Sequence, residues 1–134
     1  MEIWSIEDDP DDMRFLRMAA ERAAVEGLRI FPSALEAAEA LDRKQGFPGL
    51  ILLDLNLPGM SGQEFLRLLR QRSDAWYVPV VVLTSSTNNA DKAAAYACGA
   101  NAYLVKPNTV QALAELMRDL GTFWSHVALP RAFV

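Results

Sequence analysis

The sequence predicts an α/β fold in which a five-stranded parallel sheet carries helices on both faces. Five short apolar runs alternate with five stretches of helical periodicity along the 134 residues. The run at residues 50–53 (LILL) is apolar at every position, which is typical of a strand buried on both faces. Strict alternation of strand and helix favours parallel pairing through right-handed crossover connections.

The first strand and helix are predicted from an apolar run and a proline-marked helix start. Residues 2–6 are short and mostly apolar, and they lead into acidic residues. Asp9 stands before Pro10, which is the order of an N-cap residue and a first helical residue. Asp11 and Asp12 suit the positive end of the helix dipole, and Gly27 is predicted to end the helix.

The second strand, second helix and third strand follow from similar signals. Residues 28–31 (LRIF) form the next short strand. Ser33 and Glu36 have the spacing of a capping box, which starts an alanine-rich helix ending at about Lys44. The third strand is the fully apolar run at residues 50–53.

The remaining elements are predicted from periodicity and β-branched content. Residues 63–72 alternate apolar side chains with arginines, as an amphipathic helix does. Residues 78–83 are nearly all valine and predict the fourth strand. A helix at 90–98, a strand at 102–105 and a helix at 109–120 complete the series.

Polar side chains follow four of the five predicted strands. With the strand order 2-1-3-4-5, the carboxyl ends of those four strands meet at one edge, where such sheets bind ligands. We therefore expect carboxylates, hydroxyls and one ammonium to share a pocket. These residues are Glu7, Asp8 and Asp9 after the first strand, Asp54 and Asn56 after the third, Thr84, Ser85 and Ser86 after the fourth, and Lys106 after the fifth.

The chemistry of this set indicates phosphoryl transfer. Crowded carboxylates keep their charge only when a cation lies among them, and oxygen ligands suit Mg²⁺. An aspartate can attack phosphorus and form an acyl phosphate, while a lysine and a hydroxyl neutralise the phosphoryl oxygens. The sequence therefore predicts a Mg²⁺-assisted phosphoryl acceptor at Asp54.

Four segments resemble the receiver domain of two-component response regulators, which has a doubly wound, flavodoxin-like fold. They occur in the order and spacing of that family and place a receiver domain at residues 1–120. The segments are residues 6–10 (IEDDP), 53–62 (LDLNLPGMSG), 82–85 (VLTS) and 99–107 (GANAYLVKP).

The resemblance implies a role for each matching acidic residue. Asp54 would accept the phosphoryl group from a phosphohistidine of a sensor histidine kinase. Glu7 and Asp8 would hold Mg²⁺ together with Asp54, and the backbone carbonyl of Asn56 would complete the protein ligands.

The resemblance also implies a phosphoryl-binding pair and a switch. Thr84 and Lys106 would bind the phosphoryl oxygens. Thr84 and Tyr103 would then move and remodel the surface formed by the fourth helix, fifth strand and fifth helix. Asn108 follows Lys106-Pro107 where many relatives carry an apolar residue, and we expect it to cap the last helix.

Residues 121–134 form a predicted C-terminal extension. Its first ten residues (GTFWSHVALP) resemble the ending of single-domain regulators that are paired with bacterial phytochromes. Exposed apolar residues here would mark a partner site, which favours a homodimer; the alternative is that the tail folds back on its own domain. The predicted surface comprises Met117, Leu120, Phe123, Trp124 and Val127, with Leu129 and Phe133 beyond it.

Composition excludes several classes of function. A net charge of −4 has the wrong sign for a non-specific nucleic-acid binder. No apolar run approaches the roughly 18 residues of a membrane span, and the acidic beginning is unlike a secretory signal. A single cysteine fits a reducing compartment, so we expect a cytoplasmic protein that acts through protein contacts.

Two other functions remain as alternatives. A phosphotransferase or hydrolase acting on small phosphate esters could use Asp54 as its nucleophile, but such enzymes usually carry a second acid where Asn56 stands. A flavin or nucleotide carrier would need a phosphate-binding loop after the first strand, where Glu7 and Asp8 would repel phosphate. We therefore expect no enzymatic activity beyond the protein's own phosphorylation and dephosphorylation.

Overall fold

Strands and helices alternate from end to end in a computed structural model that describes residues 1–130. The described residues contain the five strands and five helices that the sequence predicts. In chain order they are β1 (Ile3–Ile6), α1 (Pro10–Arg22), β2 (Leu28–Phe31), α2 (Ala34–Asp42), β3 (Leu50–Leu53), α3 (Gly62–Arg70), β4 (Val80–Thr84), α4 (Asn89–Ala97), β5 (Ala102–Val105) and α5 (Val110–Ser125).

The five strands form one parallel sheet in the order β2-β1-β3-β4-β5, which confirms the predicted topology. The register places Ile6 beside Leu53 and Leu53 beside Val82. Every residue of β1, β3 and β4 is buried, so these three strands form the centre of the sheet. Their carboxyl ends therefore lie side by side, and the loops that follow them share one edge.

Alternate side chains of the sheet serve two separate cores. In β3, Ile51 and Leu53 pack with residues of α2 and α3, whereas Leu50 and Leu52 pack with residues of α1 and α5. Each of these β3 side chains is at most 2% exposed, and burial of a leucine or isoleucine stabilises the fold by roughly 1.5–3 kcal/mol. This two-sided burial explains why β3 has no polar residue.

Two predicted boundaries differ from the structure for local reasons. α1 ends at Arg22 rather than near Gly27, because Ala24 and Gly27 adopt positive φ angles of 53° and 81° that a helix cannot continue through. β4 runs from Val80 to Thr84 instead of 78–83, since Pro79 has no N–H to donate and Thr84 pairs with Val105.

The last helix begins and ends differently from its prediction. Thr109, not Asn108, is its N-cap: the Thr109 hydroxyl accepts a hydrogen bond from the backbone N–H of Ala112 at 3.1 Å. The expectation that Asn108 caps this helix is therefore wrong. α5 also continues through Gly121 to Ser125, past its predicted end at Leu120.

The continuation of α5 packs partly on its own domain. Met117 is 1% exposed and belongs to the core between α5 and the sheet, so its assignment to a partner surface is wrong. Leu120 and Trp124 pack against the same core, whereas Phe123 is 61% exposed. Phe133, which the sequence places beyond the predicted apolar surface, lies outside the described residues.

Within residues 1–130, none of the helices combines the length and the apolar character needed to cross a bilayer.

Candidate functional site

Three acidic residues meet at the carboxyl edge of the sheet. Glu7 and Asp8 directly follow β1, and Asp54 directly follows β3, its neighbour in the sheet. One carboxylate oxygen from each lies within 4.8 Å of the others. Glu7 and Asp54 are buried, and Asp8 is partly exposed to solvent. Clustered carboxylate oxygens with one side open to water suit a hard cation that keeps some of its waters, as Mg²⁺ does.

Lys106 reaches this acidic cluster from the end of β5. Its ammonium donates to Glu7 Oε2 at 2.7 Å and to Asp54 Oδ2 at 3.0 Å. A third hydrogen bond, of 2.8 Å, goes to Asp12 Oδ2. An ammonium has three N–H donors, so all of its donors are in use. The structure therefore brings the predicted phosphoryl-binding lysine into contact with the predicted acceptor.

Burial and charge alter the acid–base properties of this group. Burial raises the pKa of Glu7 from 4.5 to about 7, although the hydrogen bond from Lys106 acts in the opposite direction. Burial by itself lowers the pKa of Lys106, but hydrogen bonds to its three carboxylate partners outweigh burial and raise that pKa. The lysine therefore stays charged at neutral pH and offsets part of the carboxylate repulsion.

Asp12 is the site residue that the sequence analysis missed. Asp9 caps α1 as predicted and accepts from the backbone N–H of Asp11 at 2.8 Å, and Asp11 pairs with Arg14. The sequence predicts only a helix-start role for Asp12, yet its carboxylate binds Lys106. A lysine at the end of a strand needs carboxylate partners on neighbouring elements, and this requirement could have pointed to Asp12.

Thr84, the last residue of β4, supplies a hydroxyl to the same edge. Its Oγ1 is buried and has no hydrogen-bond partner among the residues that the structure describes. Buried hydroxyls are nearly always paired, so an unpaired one at a strand end is a group that a ligand can satisfy.

The loop after Asp54 is fixed by close backbone contacts. The backbone N–H of Asn56 donates to Asp54 Oδ1 at 3.1 Å, while Asn56 itself is exposed. Gly62 lies against the backbone of Asp54: an added Cβ would stand only 2.5 Å from the Asp54 carbonyl oxygen. A glycine is therefore required where this loop turns into α3.

Tyr103 lies beside the loop that follows Thr84. Its hydroxyl donates to the backbone carbonyl of Ser86 at 2.9 Å, and its ring packs against the small core formed by Leu55, Val82 and Ala95. The Ser86 hydroxyl in turn donates to Asp91 at 2.5 Å. These contacts connect β5 with α4 through the β4–α4 loop.

A cavity of about 360 Å³ opens beside the acidic cluster. Its charged end is formed by Glu7, Asp12, Asp54 and Lys106. Its apolar end is formed by residues of α1, α5 and the sheet, including Phe15. The cavity gives a ligand access to Lys106 from the side of α1.

Known proteins of similar sequence and fold match nearly the whole chain. A family model described as the response regulator receiver domain matches residues 3–118. The chain is 35% identical over 134 residues to the response regulator Rcp1 of Synechocystis sp., covering 95% of this chain and 91% of Rcp1. The crystal structure of the Mn²⁺-bound form of Rcp1 matches with a TM-score of 0.80 at 33% identity, covering 97% of this chain and 99% of Rcp1.

Two further solved structures are similar over nearly their full length. The phosphorylated cyanobacterial phytochrome response regulator RcpA gives a TM-score of 0.83 at 29% identity and covers 96% of each chain. The response regulator RPA3017 in red light signaling of R. palustris gives 0.85 at 29% identity, covering 98% of this chain and 100% of that one.

Proposed function

Because this chain belongs to the response regulator receiver domain family, we propose that Asp54 accepts a phosphoryl group from a phosphohistidine of a sensor histidine kinase. The observation that carries the proposal is the contact between Lys106 and Asp54 at the edge where the carboxylates of Glu7 and Asp8 converge. Receiver domains are phosphorylated on aspartate, and Asp54 is the buried member of the cluster that follows β3.

Mg²⁺ is the proposed cofactor. Glu7, Asp8 and Asp54 offer clustered oxygens that fit it, and the backbone carbonyl of Asn56 is the proposed fourth protein ligand. When bound, the ion supplies positive charge that offsets the charge of the phosphoryl oxygens. The likeness to Rcp1, of which a Mn²⁺-bound form has been solved, supports a divalent cation as the cofactor.

In the proposed reaction, a carboxylate oxygen of Asp54 attacks the phosphorus of the phosphohistidine. The phosphorus–nitrogen bond breaks, its electron pair stays on the imidazole, and the imidazole takes up a proton. The Lys106 ammonium, which contacts Asp54, and the unpaired Thr84 hydroxyl would hydrogen-bond the charged phosphoryl oxygens as the phosphoryl group passes to Asp54.

Thr84 and Tyr103 are the residues proposed to transmit phosphorylation of Asp54 to the protein surface. A phosphoryl group gives the Thr84 hydroxyl the partner that it lacks, which draws the end of β4 toward Asp54. Tyr103 holds the next loop through its bond to the Ser86 carbonyl, so a shift of β4 changes the surface around α4 and β5.

The proposed partners are a sensor histidine kinase of the phytochrome class and a second copy of this chain. The likeness to RcpA and RPA3017 supports the first. The second rests on Phe123, which remains exposed on α5.

Light scattering after size exclusion tests the dimer: Phe123→Ser should dissociate it, while Trp76→Ser, which removes another exposed aromatic, should not. If the unsubstituted protein were a monomer both with and without phosphorylation, the proposed dimer would be contradicted.

Intact-mass measurement tests the phosphoryl acceptor. Incubation with acetyl phosphate and Mg²⁺ should add the mass of one phosphoryl group, and chelation of Mg²⁺ should prevent it. Asp54→Asn should abolish the gain, while Asp119→Asn, which removes an exposed carboxylate from α5, should retain it. A gain that persists in Asp54→Asn would contradict the proposal.

Phosphotransfer from a panel of purified histidine kinases, including a bacterial phytochrome, tests the partner. Transfer that is fastest from the phytochrome would support the proposed pairing. Steady turnover of a small phosphate ester such as p-nitrophenyl phosphate would instead favour the phosphotransferase alternative.

A further inference from the structure

We infer that Asp12 is a positioning residue, whose carboxylate holds the Lys106 ammonium at the mouth of the site while Glu7 and Asp54 change partners. This inference rests on the proposed function of Asp54 and concerns how its lysine is kept in place. The observation behind it is the 2.8 Å hydrogen bond between Lys106 Nζ and Asp12 Oδ2, which joins the first turn of α1 to the end of β5.

The three acceptors of Lys106 differ in what they do. Glu7 and Asp54 belong to the clustered oxygens that fit Mg²⁺, and Asp54 is also the phosphoryl acceptor. Asp12 is outside that cluster. Its side chain is 41% exposed, against 3% for Glu7 and 10% for Asp54. Asp12 is therefore the solvent-side partner and the one carboxylate of the three that neither the metal nor the phosphoryl group uses.

This difference matters when the site is loaded. Lys106 hydrogen-bonds the carboxylates of Glu7 and Asp54, so a divalent cation held by the same two carboxylates would compete with the ammonium and repel it. Lysine is a compact charge on a flexible stem, so it can turn toward another acceptor without leaving the site. Asp12 offers that acceptor. Its backbone is held in the first turn of α1 because its N–H donates to the Asp9 carboxylate that caps the helix. We therefore expect Asp12 to favour metal binding by drawing the Lys106 ammonium away from the carboxylates of Glu7 and Asp54.

A calorimetric titration with Mg²⁺ and no phosphodonor measures this effect. Asp12→Asn should raise the dissociation constant several-fold, and Asp12→Glu should restore part of the affinity. In a Lys106→Met background, Asp12→Asn should change the constant less than two-fold because the residue that it positions is gone. Asp11→Asn makes the same charge change in the same helical turn, where the carboxylate pairs with Arg14, and should also have less than a two-fold effect.

Thermal unfolding in the presence of a chelator provides a measurement without metal. Asp12→Asn should lower the unfolding midpoint when Lys106 is present and leave it unchanged in the Lys106→Met background. An equal loss in both backgrounds, or equal effects of Asp12→Asn and Asp11→Asn on Mg²⁺ affinity, would overturn the inference and leave Asp12 a helix-start residue.

These outcomes are distinct from a failure of the proposed function. That failure would be a lack of phosphoryl mass on Asp54 in the unsubstituted chain, which neither calorimetry nor unfolding detects. If the unsubstituted chain bound no Mg²⁺, the metal part of the proposed function would fall, and the unfolding measurement alone would decide whether Asp12 positions Lys106.

Discussion

The guanidinium of Arg70 donates to the side-chain oxygen of Asn101 at 2.9 Å, across 31 positions of sequence. The same Asn101 oxygen accepts from the backbone N–H of Val80 at 2.8 Å. Arg70 thereby fixes the end of α3 to the start of β4 and to the turn before β5. Its other partners are the backbone carbonyls of Trp76, Val78 and Gly99.

Replacing Arg70 should therefore destabilise the fold. Arg70→Met removes four charge-assisted hydrogen bonds, two of them partly buried, so we expect the free energy of unfolding to fall by about 2–3 kcal/mol. Urea denaturation measures the change. Arg67→Met, one turn earlier on the exposed face of α3, is the control and should be nearly neutral. Similar losses for both variants would mean that the contacts of Arg70 contribute little.

Thr84→Val should separate stability from function. The change replaces a buried, unpaired hydroxyl by a methyl group of similar size, so the unphosphorylated protein should gain about 1 kcal/mol in unfolding free energy. The phosphoryl group loses a hydrogen-bond donor, so phosphorylation by acetyl phosphate should slow. Thr84→Ser keeps the hydroxyl and should keep the phosphorylation rate. A valine variant that is both less stable and unaffected in rate would contradict this interpretation.

Two glycines should respond to alanine in opposite directions. At Gly62 the new Cβ would meet the Asp54 carbonyl oxygen at 2.5 Å, so we expect a loss of about 1–3 kcal/mol in unfolding free energy. At Gly121, inside α5, nothing lies within 4 Å of the Cβ position, and alanine should stabilise the helix by about 0.5–1 kcal/mol. Thermal or urea unfolding of both variants checks the signs. Destabilisation by Gly121→Ala would indicate that this part of α5 is not helical in solution.

Acid should weaken the ion pair between Arg72 and Asp74. Arg72 donates to both carboxylate oxygens of Asp74, at 2.9 and 3.0 Å, and these bonds hold the pKa of Asp74 below its usual 3.8. Because the folded-state pKa is the lower one, the carboxylate contributes stability above about pH 3.8, and this contribution is lost as pH falls through the folded-state pKa.

Asp74→Asn should therefore be less stable than the unsubstituted protein near neutral pH, and the two should converge in acid. Urea denaturation across a pH series measures the difference. Asp119→Asn, at an exposed position of α5, provides the reference curve. A difference that stays constant as the pH falls would show that the Asp74 carboxylate charge is not responsible.

The sheet and the main site residues could be predicted because they depend on local signals. A strand buried on both faces must be apolar throughout, and β3 is; its first polar residue is therefore at the edge of the sheet, where Asp54 lies. Glu7 and Lys106 are likewise the residues that directly follow the short strands β1 and β5. Parallel topology alone then brings these strand ends together, without any knowledge of side-chain conformation.

The partners of Lys106 could not all be predicted because they depend on side-chain conformation. Asp12 is 94 positions from Lys106, and at the start of a helix an aspartate already has a sufficient local explanation. Met117 shows the opposite error. Apolar residues at helical spacing can face either the core or a partner, so the spacing of Met117 does not distinguish the two. Only the packing of α5 against α1 and the sheet shows that Met117 is buried.

The packing of Trp124 against the core has a spectroscopic consequence. The three tryptophans occupy different environments: Trp4 is 1% exposed beside Phe31, Trp76 is 52% exposed, and Trp124 is partly covered at the end of α5. Indole fluorescence depends on contact with water, so a protein that retains only Trp124 would report on the end of α5 alone. Its emission would show whether that segment detaches, and a second variant that retains only Trp4 would show whether the sheet stays folded.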